Sequence, residues 1–249
     1  MADTTPYPAG TTPYPPGTAA FPAEAADEHC LAVGESARLL RGAPWKRFAV
    51  VGDSLAEGLG DPLPGFRTAS WADRVAEALR EVTPGLVYAN LGERGLTAAQ
   101  VRAGQAAAAA AFVPDLVCVV CGGNDLLLPG FSPAVLEKEL DLLLGGLAAP
   151  GRTLFTYAVA DVARAVPELR GGPLDEGVAV LNAVTRSVAA RHGALVVGMD
   201  LHPAVADRDL YGADLVHFTA RGHAVTAAAT VRALAAHMRK AEPRPEGPA

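Results

Sequence analysis

The sequence predicts an α/β fold, a three-layer α/β/α sandwich around a five-stranded parallel sheet. Two observations support this class. Short runs of consecutive apolar residues, such as Phe48–Val51 and Leu116–Val120, are typical of strands buried on both faces of a parallel sheet. Between them lie longer segments whose apolar residues recur every three or four positions, which indicates amphipathic helices. This alternation favours right-handed βαβ crossovers, and we expect the strand order 2-1-3-4-5 with a crevice between strands 1 and 3.

The predicted elements alternate regularly along the chain. The first strand follows Pro44-Trp45 and ends at Gly52, and the other predicted strands are 86–91, 115–121, 153–160 and 194–199. The predicted helices are 25–41, 70–82, 97–112, 132–148, 174–191 and 219–240. Ser70, Thr97 and Ser132 are residue types that cap helix N-termini, and Pro133 suits the first helical position.

One domain accounts for most of the 249 residues. We predict that it spans 25–240, because a chain of this length can bury one large core without a second domain. Residues 1–24 contain a repeated Thr-Thr-Pro-Tyr-Pro unit whose prolines favour polyproline II over helix or sheet. This segment and residues 241–249 are therefore predicted to be disordered tails. A ligand for a polyproline-binding partner is an alternative role for the first tail.

Composition and charge narrow the classes of partner. The net charge of −6 and a pI near 5.5 disfavour binding to nucleic acid. The N-terminus lacks the charged and apolar regions of a secretory signal, and no apolar run is long enough for a membrane span, so a cytoplasmic location is expected. Three cysteines, an odd number in a large chain, favour reduced thiols over a disulfide framework.

A serine follows the first strand in Gly52-Asp53-Ser54, at the carboxyl edge where open α/β sheets hold their sites. Serine alone is a weak nucleophile, so catalysis requires a base, a group that orients the base, and donors for an oxyanion. Three other segments are predicted at this edge: Asn90–Thr97, Gly122–Asp125 and Asp214–His217. An aspartate three residues before a histidine can accept from Nδ1–H and leave Nε2 to take a proton from serine. Together these segments contain the parts of an acyl-transfer site.

These motifs resemble those of the GDSL lipases and esterases, the SGNH hydrolase superfamily. The first motif of the family resembles Gly52–Leu55, the second the region of Gly95, the third Gly123–Asp125 and the last Asp214–His217. They occur in the same order as in the family, and the resemblance covers roughly residues 46–237. It implies the SGNH hydrolase fold and an activity on esters.

The resemblance also implies a role for each matching residue. Ser54 would be the nucleophile, His217 the base and Asp214 the residue that orients the base. The oxyanion would be held by the N–H groups of Ser54 and Gly95 and by the side-chain amide of Asn124.

The second motif offers two candidate glycines, and the residues after the histidine of the last motif depart from the family pattern. Gly92 is an alternative to Gly95, but Gly95-Leu96-Thr97 has the glycine and threonine spacing that is common in the family, so we prefer Gly95 and interpret Gly92 as a turn glycine. After the histidine the family often has proline and then asparagine or serine, whereas this chain continues Phe218-Thr219-Ala220. That departure concerns substrate fit more than catalysis.

Other residues with chemical potential are predicted to be structural. Asp53 and Asp125 are expected to accept hydrogen bonds from the backbone behind the site. His223 has no aspartate three residues before it, so we interpret it as structural. Cys118 and Cys121 lie within a predicted strand, where packing is favoured over thiolate chemistry. No metal or organic cofactor is implied.

The sequence therefore predicts a serine esterase that hydrolyses carboxylic esters of small or extended acyl groups through an acyl-enzyme on Ser54. An acyltransferase or deacetylase with the same residues, and a non-catalytic binding or scaffold protein, are alternatives. The expected partner is a small-molecule ester or acylated substrate. Its pocket is expected between the loops 56–69, 126–131 and 161–173, whose short length favours an open cleft.

Overall fold

A parallel sheet runs through the centre of the computed structural model, which describes residues 21–241. Within that range the strands are β1 (Arg47–Gly52), β2 (Gly60–Asp61), β3 (Val87–Asn90), β4 (Leu116–Val120), β5 (Thr153–Ala158), β6 (Leu195–Gly198) and β7 (Phe218–Thr219). Five of them form the central sheet in the order β3-β1-β4-β5-β6, and every neighbouring pair is parallel. With the two-residue strands β2 and β7 set aside, this is the predicted order 2-1-3-4-5.

Helices cover both faces of the sheet, so the predicted three-layer class is confirmed. In the described range the α-helices are α1 (Pro22–Ala26), α2 (Glu35–Leu39), α3 (Ser54–Glu57), α4 (Trp71–Val82), α5 (Ala98–Ala111), α6 (Pro133–Leu147), α7 (Pro173–Arg191) and α8 (Ala220–Ala241). Helices α5, α6 and α7 pack on one face, and α2, α4 and α8 pack on the other. Strand β4 is buried along its whole length because both of its faces are covered.

The helix starts follow from local sequence at two of the three predicted caps. The Ser70 side chain accepts the N–H of Asp73 at 3.0 Å. Thr97 and Gln100 form a reciprocal capping box at the start of α5. Ser132 occupies the predicted N-cap position of α6, but its side chain makes no capping hydrogen bond, and the proline that follows it sets the helix start.

The region before β1 differs from the prediction. The sequence predicts a single helix over 25–41, but α1 ends where Asp27 adopts an extended conformation, and α2 begins only after Gly34, which has a φ of 74°. The predicted domain boundary at residue 25 falls inside α1. Glu24 belongs to the packed domain, since it forms an ion pair of 2.6 Å with the buried Arg74. Residues 1–20 and 242–249, which include most of both predicted tails, lie outside the described residues.

None of the helices in the described part of the chain has both the length and the apolar composition needed to cross a membrane.

Candidate active site

The serine of the first motif lies where β1 meets β4. Gly52, the last residue of β1, is opposite Val120, the last residue of β4. A Cβ atom on Gly52 would overlap the Val120 carbonyl oxygen, so the approach of the two strands requires glycine. Ser54 then begins the short helix α3 and is only 8% exposed. The strand end therefore places its hydroxyl on a rigid part of the fold.

Ser54, His217 and Asp214 form a continuous hydrogen-bonded chain. The His217 Nδ1 atom lies 2.7 Å from Asp214 Oδ2, and His217 Nε2 lies 2.7 Å from Ser54 Oγ. Because a carboxylate can only accept, Nδ1 carries the hydrogen and Nε2 is left to accept from the serine hydroxyl. This geometry allows the imidazole to remove the serine proton.

The Asp214 carboxylate organises the loop that holds the histidine. Its Oδ1 atom accepts the N–H groups of Val216 and His217, each at 2.9 Å, while Oδ2 takes the imidazole. Partial burial acts to raise the pKa of Asp214, but the hydrogen bonds from His217 and Val216 outweigh it and hold the pKa at about 2. The carboxylate therefore stays ionised over the whole range in which a histidine titrates.

A two-stranded sheet joins the serine loop to the histidine loop. Strand β2 pairs in parallel with β7, which begins at the residue after His217. Asp61 in β2 also accepts the N–H of Ala213 at 2.8 Å. These contacts bring together two residues that are 163 positions apart in the sequence, Ser54 and His217.

The third motif contacts the second directly. The Asn124 side-chain nitrogen donates to the Leu96 carbonyl at 3.0 Å, which leaves its other hydrogen available to the cavity beside Ser54. Gly95 lies one residue earlier, with φ of 81°, and is exposed instead of lining that cavity. Among the described residues, neither the Gly95 N–H nor the Ser54 N–H has an acceptor.

Gly92 has a different environment. Its N–H donates to the Asn90 side chain at 2.9 Å, so this hydrogen is already engaged. A Cβ atom on Gly92 would collide with the backbone of Ala56 and Glu57. Gly92 therefore permits the close approach of its loop to α3, in keeping with the interpretation of a turn glycine.

The two aspartates behind the site bind backbone N–H groups. Asp53 accepts the Leu55 N–H at 3.0 Å, and Asp125 accepts the Ala98 N–H at 2.8 Å. Burial raises the pKa of Asp53 to about 6, although the N–H groups of Leu55 and Gly122 stabilise its charged form. Burial also raises the pKa of Asp125.

His223 and the cysteines also have structural contacts. Burial lowers the pKa of His223 to about 4, and the neutral ring accepts from the Trp71 N–H at 3.3 Å and donates to the Leu59 carbonyl at 3.2 Å. Both of its nitrogens are therefore engaged away from the serine. Cys118 and Cys121 are buried free thiols, and burial raises the pKa of each.

Gln105 is a site-supporting residue that the sequence reasoning missed. It is buried in α5, its Oε1 accepts the Gly52 N–H at 2.8 Å, and its Nε2 donates to the Gly52 carbonyl at 2.8 Å. The side-chain amide thus makes the hydrogen bonds to Gly52, the last residue of β1, that a neighbouring strand would otherwise make. A signal was present in the sequence, since Gln105 lies on the helix face of Val101 and Ala109 and a buried polar residue needs a partner.

A cavity of about 160 Å³ opens beside Ser54. The predicted loops contribute Leu59, Leu126, Leu127 and Val162 to its wall. Buried side chains such as Trp71, Tyr157 and Met199 form the inner part of the wall, so the site is deeper than the open cleft expected from short loops. In residues 21–241, no group of three or more His, Cys, Asp or Glu side chains is arranged to hold a metal ion.

Comparison with known proteins identifies both a family and a fold. The sequence profile of the GDSL-like Lipase/Acylhydrolase family matches residues 50–225. LAE5, an alpha/beta hydrolase enzyme from the metagenome of Lake Arreo in Spain, is 22% identical, with a TM-score of 0.62 over 78% of this chain and 95% of its own. A lipase/acylhydrolase from Enterococcus faecalis is 20% identical, with a TM-score of 0.59 over 77% of this chain and 96% of its own.

The acetylxylan esterase Axe2 from Geobacillus stearothermophilus is 20% identical, with a TM-score of 0.59 over 78% of this chain and 94% of its own. At these identities the structural likeness establishes the fold alone. Comparison with curated protein sequences finds no significant match.

We expect Gln105→Leu to slow the reaction of Ser54 with a fluorophosphonate by about 10-fold to 100-fold, because small misplacements of a reacting group cost rates of this order. The measurement is the second-order labelling rate of the folded protein. Gln100→Leu is the matched control, since it removes the other glutamine of α5 from the exposed helix cap. Equal labelling rates for the two variants would show that Gln105 has no role in positioning Ser54.

Asp53→Asn is expected to gain stability relative to the wild type as the pH rises. Burial raises the pKa of Asp53 in the folded state to about 6. Above that pH the carboxylate is charged, and burying this charge lowers the stability of the folded wild type. Between pH 4 and pH 7 the difference in the free energy of unfolding should shift towards the variant by about 2 kcal/mol. Urea unfolding at both pH values measures this shift, with Glu28→Gln, which removes an exposed carboxylate, as the control. A pH-independent difference would contradict the assignment.

Proposed function

This chain belongs to the GDSL-like lipase/acylhydrolase family, and from that premise we propose that it hydrolyses carboxylic esters through an acyl-enzyme on Ser54. Membership establishes an enzyme that acts on ester bonds. The observation that supports a serine mechanism is the hydrogen-bonded chain from Asp214 through His217 to Ser54, with both links at 2.7 Å. An activated nucleophile needs a base within this distance and a third group that orients the base.

The proposed reaction has two halves. Ser54 Oγ attacks the acyl carbon while His217 Nε2 takes its proton, and the protonated imidazole then gives that proton to the departing alcohol oxygen. A water molecule next attacks the acyl-enzyme and gives its own proton to the same nitrogen, which returns a proton to Ser54. Asp214 remains ionised throughout and stabilises the imidazolium, in accordance with its pKa of about 2.

Three donors are proposed to stabilise the oxyanion of each tetrahedral intermediate. The N–H groups of Ser54 and Gly95 have no acceptor among the described residues, and the Asn124 amide has a hydrogen to spare. Gly92 is the weaker candidate for the second donor, because its N–H is bound to Asn90. Unengaged donors fixed in advance contribute most where charge develops in the transition state.

The proposal is tested by comparing the wild type with Ser54→Ala and Asp214→Asn on p-nitrophenyl esters, together with fluorophosphonate labelling. Wild type should hydrolyse the esters and be labelled on Ser54, whereas Ser54→Ala should do neither. Asp214→Asn should lower kcat by up to about 10⁴-fold, because the imidazole loses the partner that fixes its tautomer.

Full activity of Ser54→Ala would exclude the serine mechanism. A wild-type protein without hydrolysis or labelling would favour a non-catalytic scaffold, and product analysis with an added alcohol would reveal transfer in place of hydrolysis.

Asn124→Ala should lower kcat by about 10²-fold to 10³-fold, the usual loss for one oxyanion donor. KM should change little, because the interaction is made mainly in the transition state. The control is Asn182→Ala, which removes a structural amide that binds both backbone groups of Val159. Its effect should appear in the melting temperature. If Asn124→Ala kept the wild-type kcat, this assignment would be wrong.

A further inference from the structure

The cavity beside Ser54 is apolar over nearly all of its wall. Away from the reacting groups it is formed mainly by aliphatic and aromatic side chains. Those on the α7 side include Leu126, Leu174, Val178 and Leu181, and those on the α8 side include Trp71, Tyr157 and Met199. The second group is at most 5% exposed, so the cavity reaches into the core of the domain.

Most polar groups in the deep wall are already engaged by the protein. Tyr157 Oη is 2.6 Å from Thr230 Oγ1, and Tyr211 Oη donates to the Val205 carbonyl at 3.0 Å. Both nitrogens of His223 bind backbone groups. The Thr226 hydroxyl has no partner among the described residues, but its oxygen is itself buried. A sugar or a polar acyl chain placed here would lose hydrogen bonds to water without regaining them from the wall.

The charges around the cavity also favour an uncharged acyl chain. No lysine or arginine from the described part of the chain lines the cavity, and its only acid, Asp53, lies behind the serine. A second carboxylate on the acyl group would therefore have no cation to bind. The apolar wall continues at the mouth of the cavity, which is lined by Leu127 and Val216, and these residues are 76% and 55% exposed.

We propose that this cavity is an acyl-chain site, and that the substrate is an ester of an uncharged medium-chain fatty acid. The inference rests on the proposed function, because it places the ester carbonyl at Ser54. The volume of about 160 Å³ sets the length, since an apolar cavity of about 150 Å³ holds a six-carbon ring. The site therefore accommodates about six carbons beyond the carbonyl, and an acetyl group would leave most of it empty.

The first test is the dependence of kcat/KM on chain length for p-nitrophenyl acetate, butyrate, hexanoate, octanoate and palmitate. Each methylene that enters the cavity should raise kcat/KM by about fourfold, so hexanoate, with four more methylenes than acetate, should exceed it by about 250-fold, and octanoate should exceed it by at least as much. Palmitate should fall below octanoate because its chain is longer than the cavity. A maximum at acetate would overturn the proposal.

A pair of isomers tests which side of the ester enters the cavity. Methyl octanoate has its long chain on the acyl side, and heptyl acetate has it on the alcohol side. We expect methyl octanoate to be hydrolysed at least about tenfold faster, since the cavity buries its chain. Faster hydrolysis of heptyl acetate would show that the cavity holds the alcohol, contrary to the proposal.

Variants of Val178 test the cavity itself, because this residue lies in α7 and lines it. Val178→Phe should lower the ratio of octanoate to acetate hydrolysis at least about tenfold, since the added ring fills the chain site. Val178→Ala should move the optimum to a longer chain. Val184→Phe is the matched control, on the same helix, half-buried and outside the cavity wall, and should leave the ratio unchanged.

The outcomes separate the two hypotheses. Loss of hydrolysis on every ester, or hydrolysis that persists in Ser54→Ala, would defeat the proposed function. Hydrolysis that depends on Ser54 but has a ratio insensitive to Val178→Phe and Val178→Ala would defeat only the acyl-chain site.

Discussion

The site depends on the close approach of two backbones at the ends of β1 and β4. At this point the Val120 carbonyl occupies the space where a side chain of Gly52 would lie, and it accepts the Asp53 N–H at 3.2 Å. The peptide groups of Gly52 turn to Gln105 instead, so the strand end is held from both sides. Ser54 follows within two residues, so the contacts that hold Gly52 and Asp53 also fix its position. A nucleophile placed on a strand end and a helix start is held more accurately than one on a free loop.

His217, the proposed base, is held by a separate short turn of the chain. The turn from Asp214 to His217 is closed by hydrogen bonds to a single carboxylate, and Leu215 adopts φ of 62° within it. The imidazole is thus oriented by its own loop. Pairing of β2 with β7 decides where that loop lies relative to Ser54. The orientation of the His217 imidazole and its approach to Ser54 therefore have different physical origins.

The proposed reacting groups and most of the cavity wall beside them also come from different elements. Ser54, Asn124 and His217 come from the end of β1, the segment after β4 and the loop before β7, whereas much of the cavity wall comes from β5, α7, α8 and the segments beside them. Phe218, where the sequence departs from the family pattern, lines the cavity and packs against Tyr211 with ring centroids 5.8 Å apart. Solved structures of about 20% identity share this fold.

The sequence by itself determined the fold class, the strand order and the segments that meet at the sheet edge, because these follow from local periodicity and from the connection rules of parallel sheets. It also determined the Asp214 and His217 pair, which forms within one turn. The tertiary structure decided what depends on distant contacts. Gln105 reaches Gly52 across 53 positions, α1 and Glu24 join the domain through Arg74, and the cavity lies between side chains from both layers of helices. Local sequence fixes backbone conformation, but the shape of a cavity depends on how whole elements pack, and no single segment encodes that packing.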